Sequence, residues 1–196
     1  MIESQPGTER TAWEGPEERT TFRLAQLSLL LTTAAHMDIK VTSLDRLAYF
    51  DFFSANPFIV LDGKNPDKDA QDRLTLHLSG FSSGQLTYGS IGHRFTTRKQ
   101  RLRHDLALLV SRGLVRVSAD RYSISPAGLE LTSNLRTVYS DAYRTAAGIV
   151  LQRFGRMPET KLRNVAERLL GTSWLLIDFL ADVDRSDAIT LKRGNP

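Results

Sequence analysis

Residues 94–131 read RFTTRKQRLRHDLALLVSRGLVRVSADRYSISPAGLEL. The stretch opens with a basic segment whose apolar positions, Leu102, Leu106, Leu109 and Val110, recur at helical spacing. A helix is expected over about residues 98–112, with Thr97 as N-cap and Gly113 as the stop. Val115 and Val117 then alternate with polar residues as a strand does, residues 119–121 turn, and Tyr122 and Ile124 return. Ser125-Pro126 opens another helix, with proline at the first helical position. Helix, stop, hairpin, helix is the order of a winged helix. The fold expected is therefore mostly α with a small β-wing: a winged helix-turn-helix core flanked by N- and C-terminal helices.

Working outward, residues 1–19 are rich in Glu, Pro, Gly and Thr and are expected to be mobile. Residues 20–62 predict a helical hairpin. Its first helix carries Leu24, Leu27, Leu31 and Ala34. Its second begins at a capping box formed by Thr42 and Asp45 and is apolar on almost every side (LDRLAYFDFF). Residues 63–136 form the winged-helix unit. Residues 62–72 (DGKNPDKDAQD) look like a charged loop, and over residues 73–78 Leu74, Leu76 and Leu78 alternate as in a strand, with a short helix as the alternative. Residues 137–183 predict three closing helices, over 137–154, 158–170 and 172–183, and residues 184–196 a loose tail.

The chain has 196 residues, 41% hydrophobic and 24% charged, with net charge +4. That mild basicity permits contact with phosphates without requiring it. With no cysteine, disulfides and thiolate metal sites are excluded. The first nineteen residues lack the apolar core of a signal peptide. The longest apolar run, residues 24–31, is broken by Gln26 and Ser28 and is too short to span a bilayer. A soluble cytoplasmic protein is expected.

Catalytic patterns are sparse. Gly80, Gly84, Gly89 and Gly92 lack the Gly-Lys-Ser/Thr ending of a phosphate loop and miss the dinucleotide fingerprint. His36, His77, His93 and His104 never fall at metal-ligand spacing. Asp51 interrupts an aromatic run and needs a partner if buried, such as an arginine or a helix N-terminus; a capping role is expected. No cofactor, metal site or enzymatic activity is expected.

The candidate binding residues are cationic: Arg94, Arg98, Lys99, Arg101 and Arg103 on the basic helix, Arg112 at its end, and Arg116 and Arg121 on the wing. Cations crowding a helix start oppose the helix dipole, so an outside partner, DNA or protein, is expected to hold them. The plain alternative is a solvated helix in which Arg101 pairs with Asp105. Reversing the charge of Arg98, Lys99, Arg101 and Arg103 together is expected to abolish DNA association with folding intact. On the last helix, Trp174 and Phe179 complete a core or anchor an interface.

The segments LDRLAYFDFFSANP (44–57), RKQRLRHDLALLVSRGLV (98–115), RVSADRYSISPAGLEL (116–131) and RFGRMPETKLRNVAERLLGTSWLLIDF (153–179) together resemble the middle component of bacterial three-component ABC ATPase systems, among them the Lamassu-type anti-phage systems. The resemblance covers about residues 20–180. It implies a non-catalytic subunit of a hetero-oligomer, bound to an SMC/Rad50-like ATPase and linked to a nuclease-type effector, with double-stranded DNA as a further partner and no membrane. A stand-alone dimeric winged-helix transcriptional regulator shares the same helix and wing and is the alternative.

Overall fold

A computed structural model describes residues 19–82, 91–119 and 121–171. In chain order it contains α1 (Thr20–His36), α2 (Leu44–Ala55), a 3-10 turn (Pro57–Val60), α3 (Pro66–Leu78), α4 (Ile91–Ser111), β1 (Val115–Ser118), β2 (Arg121–Ile124), α5 (Pro126–Asn134), α6 (Val138–Phe154) and α7 (Glu159–Leu170). The mostly helical expectation and the small antiparallel hairpin are both present. Val115 lies opposite Ile124 and Val117 opposite Tyr122. The expectations for the N-terminal segment, most of the glycine loop, the last helix and the tail lie outside the described residues.

One apolar core runs through the described chain. Helix α6 is its centre, with Tyr143, Ala146, Val150 and Leu151 fully buried against α1 and α2. Leu27 and Leu30 of α1, Phe50 and Phe53 of α2, and Phe95, Leu102 and Leu109 of α4 belong to the same cluster. The strands enter it through Val115 and Ile124. Helix α5 approaches them closely because residue 128 is glycine. A Cβ there would lie 2.3 Å from the Leu114 carbonyl oxygen and 2.5 Å from Ile124 Cδ1.

Local signals account for most boundaries. Ser125 accepts from the Gly128 amide at 3.0 Å, and Thr137 from the Ser140 amide at 3.0 Å, so each caps the helix that follows. Helix α2 is capped one residue later than expected: Ser43, not Thr42, accepts from the Arg46 amide at 3.0 Å. The end of α6 is closed by a long-range contact. Arg46, buried in α2, donates to the carbonyls of Gly155 at 2.7 Å and Met157 at 2.8 Å. A cation at a helix C-terminus satisfies terminal carbonyls and complements the dipole.

Helix α3 corrects the largest misreading. Residues 66–72 are not loop, and residues 73–78 take the helical alternative and not the strand; all lie in one helix. Asn65 caps it, accepting from the Lys68 amide at 3.2 Å, Pro66 takes the first turn, and Asp67 and Asp69 sit at the positive end of the dipole. The leucine alternation carried no burial. Leu74 and Leu78 are exposed and only Leu76 is buried. The inner face is Asp69, Asp72 and Leu76, spaced for a helix but mostly acidic.

Those carboxylates meet Arg153 of α6. Its Nε and Nη2 reach Asp72 Oδ2 at 2.8 and 2.6 Å, and Nη2 lies 2.6 Å from Asp69 Oδ1. Burial pushes the Asp69 carboxyl up, but the Arg153 guanidinium, the Gly63 amide and the Arg73 charge outweigh it. The group is held below the usual carboxylate range, so its charge stabilises the fold above that range. The contribution is lost as pH falls through the lowered value. Urea midpoints are therefore expected to fall as the pH drops from the ordinary carboxylate range through the lowered value, and to fall less for Asp69→Asn. Parallel profiles for the two proteins would contradict this.

Candidate functional site: the basic helix and its cleft

Helix α4 starts at Ile91, well before the expected residue 98. Ile91, Phe95 and Leu102 continue the inner stripe toward the N-terminus, at spacings of four and seven that keep them on one face. Gly92 is buried in the helix, and Thr96 turns its hydroxyl back to the Gly92 carbonyl at 3.1 Å. Thr97 is an interior residue and not an N-cap. The cations at positions 98, 99, 101 and 103 therefore lie in mid-helix, away from the dipole's positive end, and the dipole argument for an outside partner falls away. At the other end, Leu102, Leu106 and Leu109 are buried as expected, whereas Val110 is 39% exposed.

The structure divides the predicted cations by role. Arg98 is largely internal. Its Nε lies 2.5 Å from Asp51 Oδ2, and its Nη2 donates to Asp51 Oδ1 at 2.9 Å and Gln26 Oε1 at 2.7 Å. Gln26 in turn donates to the Tyr139 hydroxyl. This chain joins α4, α2, α1 and α6. Asp51 has the arginine partner its burial required, so the capping role expected of it is replaced by an ion pair. Lys99 lies 3.5 Å from Asp45 at the start of α2. Asp105 is the residue that the solvated-helix alternative gave to Arg101. Asp105 is taken by Arg23 of α1, Nε to Oδ2 at 2.7 Å and Nη2 to Oδ1 at 3.0 Å. Charge reversal at Arg98 would press two carboxylates together inside the fold, so the four-residue reversal is expected to destabilise the protein as well.

Nearby, Burial, with the Asp51 carboxylate adding to it, raises the Tyr143 phenol well above its ordinary value. It stays protonated at any physiological pH and serves the packing of α6.

Arg94 and Arg101 point to a different place. Together with Arg23, Arg98 and His93 they line a half-open cleft of about 220 Å³ between α1, α2 and α4, with Phe52, Asn56 and Thr97 as its remaining walls. Reading the sequence brought Arg94, Arg98 and Arg101 together but missed Arg23, some seventy residues away on α1. No local pattern announces it; only the packing of α1 against α4 does.

Arg103, Arg112, Arg116 and Arg121 are exposed. Arg103 and Arg112 are nine residues apart, so they project on opposite sides of the α4 axis. On the hairpin, Arg116 lies opposite Ser123 and Arg121 opposite Ser118. Alternation puts both arginines on the outward sheet face as diagonal neighbours. Trp174 and Phe179 lie outside the described residues.

Among the described residues no group of three or more His, Asp or Glu side chains is placed to hold a metal ion. No described helix is long and apolar enough to cross a membrane. No curated protein and no solved structure shows a significant match to the chain. Residues 75–175, which include the end of α3, α4, the hairpin and α5 to α7, match ABC-three component (ABC-3C) system Middle Component 2. That is just over half of the sequence, and the chain belongs to this family, an accessory component that works with the other members of a multi-component system.

Proposed function

We propose that the chain is a non-catalytic bridging subunit of a cytoplasmic defence complex of Lamassu type, directed against phage or plasmid DNA. It binds an SMC/Rad50-like ATPase, contacts double-stranded DNA and links both to a nuclease-type effector. The observation that carries this reading is the family membership over residues 75–175. The large cationic content of α4 and the hairpin supports it, since such surfaces suit partners that are themselves charged.

A winged-helix core is part of the reading. Helix α4 leads directly into the hairpin. Val41, between α1 and α2, bridges to Tyr122, whose amide donates to the Val41 carbonyl at 2.9 Å. A third short strand beside the hairpin is the arrangement such a core would use. The DNA contact is assigned to the hairpin, because Arg116 and Arg121 share its outward face.

Co-expression with an SMC/Rad50-like ATPase of the same system is expected to return a hetero-oligomer on size-exclusion chromatography. Elution of the chain alone would overturn the bridging reading. For DNA, Arg116→Ala with Arg121→Ala is expected to weaken binding equally across sequences and to lower the slope of log K against log salt by about 1–2. An unchanged slope would remove the hairpin from the DNA contact.

A further inference from the structure

Helix α4 keeps one side open along its second half. Gln100, Arg103, His104, Ala107, Val110 and Ser111 are all exposed. Their spacing of three and four residues places them on one face, opposite the buried Leu102, Asp105 and Leu109. Among the described residues, none hydrogen-bonds or ion-pairs with the side chains of Gln100, Arg103 or His104. The face carries no carboxylate, since Asp105 is turned to the other side and paired with Arg23. Its charge is therefore positive, and Gly113 leads it directly into the hairpin that bears Arg116.

The make-up of the face selects the partner. Protein interfaces are anchored by aromatic and other large side chains seated in pockets, and the largest apolar side chain here is Val110, 39% exposed. The face offers instead what base edges recognise: an amide at Gln100, a guanidinium at Arg103 and an imidazole at His104. Ala107 and Ser111 are small, and the Ser111 hydroxyl is folded back onto the Leu108 carbonyl at 3.0 Å, so the helix backbone can approach a surface closely. A major groove about 12 Å wide admits one α-helix about 10–12 Å across. From Gln100 to Ser111 the helix rises about 16 Å, the length of about four or five base pairs. We propose that this face of α4 seats in the major groove of duplex DNA and that Gln100 and Arg103 read base edges there, while the hairpin arginines hold phosphates. The inference rests on the DNA contact of the bridging reading and names the element that gives it a sequence preference. A motif of about four or five base pairs recurs throughout a genome, so the readout biases where the complex settles and does not make the chain an operator-binding regulator.

The test uses the full chain and short duplexes with a randomised centre, selected by gel shift and sequenced. The enriched duplex and a scrambled one are then compared by fluorescence polarisation. The wild type is expected to enrich a short motif. Gln100→Ala with Arg103→Ala is expected to reduce the ratio of affinities for the two duplexes at least about tenfold, with an unchanged melting curve. Arg116→Ala with Arg121→Ala is expected to weaken both duplexes alike and to leave that ratio in place. If the first pair melts early, Ala107→Gln replaces it. That change puts a good helix former at an exposed site, holds the helix off the groove floor, and is expected to lower the same ratio. Purines lacking N7 in the enriched duplex remove major-groove acceptors and are expected to weaken binding. No duplex binding, binding without enrichment, a ratio unmoved by the α4 variants, or indifference to the loss of N7 would each overturn the proposal. Variants that keep the ratio but fail to enter the ATPase complex would assign the face to a protein and overturn it as well. Co-purification separates the two levels. If the wild type enters the complex and binds duplexes without preference, the groove proposal fails alone. If the wild type enriches a motif but enters no complex, the bridging reading fails alone.

Discussion

Changing Arg98 to alanine is expected to lower the free energy of unfolding by about 3–5 kcal/mol, the range for removing one partner of a buried ion pair. The Asp51 side chain is 7% exposed and would be left buried without the guanidinium that holds it. Gln26 would lose the donor at its Oε1, and the link from α4 through α1 to Tyr139 would be cut. Arg98→Glu is expected to be worse, because it places a second carboxylate against the first. Arg98→Met combined with Asp51→Leu should recover most of the loss, since a buried ion pair replaced whole by apolar side chains is often neutral. Urea unfolding followed by circular dichroism decides the point. A loss for Arg98→Ala below about 1 kcal/mol would mean that water screens the pair as it does at a surface. One practical consequence concerns the binding site. A loss of DNA or partner binding in any variant that includes Arg98 is confounded by unfolding, whereas Arg103, Arg112, Arg116 and Arg121 are exposed positions suited to a clean test.

Phe95→Ala is expected to destabilise the protein by a similar amount, about 3–5 kcal/mol. Phe95 is 1% exposed. Its ring lies flat against Tyr49, with centroids 5.5 Å apart, and meets Phe52 edge-on at 5.4 Å. Truncation removes that buried area, forfeits two ring pairs worth about 0.5–1.5 kcal/mol each beyond their area, and leaves a cavity that rigid neighbouring helices close only in part. Phe95→Leu should recover part of the stability by refilling the space. The effect also bears on the cleft. Phe95 is the anchor that seats the first half of α4 on α2, and Arg94 and Arg98 flank it on the same helix. A thermal melt of Phe95→Ala close to that of the wild type would show that this half of α4 is held by something else.

How far the sequence could be read depended on whether a pattern was local and apolar. The hairpin was legible because Val115, Val117, Tyr122 and Ile124 alternate over a few residues and Gly113 stops the helix before them. Helices α5, α6 and α7 were legible because Ser125, Thr137 and Pro158 mark their starts within one turn. Helix α3 was misread because its buried face is Asp69 and Asp72, residues that periodicity analysis counts as exposed. The start of α4 was misread because Gly92 and the Thr96-Thr97 pair look like punctuation. Ile91 and Phe95, four apart, were the available signal.

By itself, the sequence determined the helical character, the presence of the hairpin, the starts of α5, α6 and α7 and the set of cations in and around α4. Each follows from interactions between residues a few positions apart. Which of those cations serve the fold and which face outward was decided by tertiary structure alone. Arg98 meets Asp51 across 47 positions, Arg23 meets Asp105 across 82, and Arg153 meets Asp72 across 81. A charge carries no mark of whether it will be buried. Its environment is set when helices from distant parts of the chain pack, because only then does desolvation force each ion to take a partner.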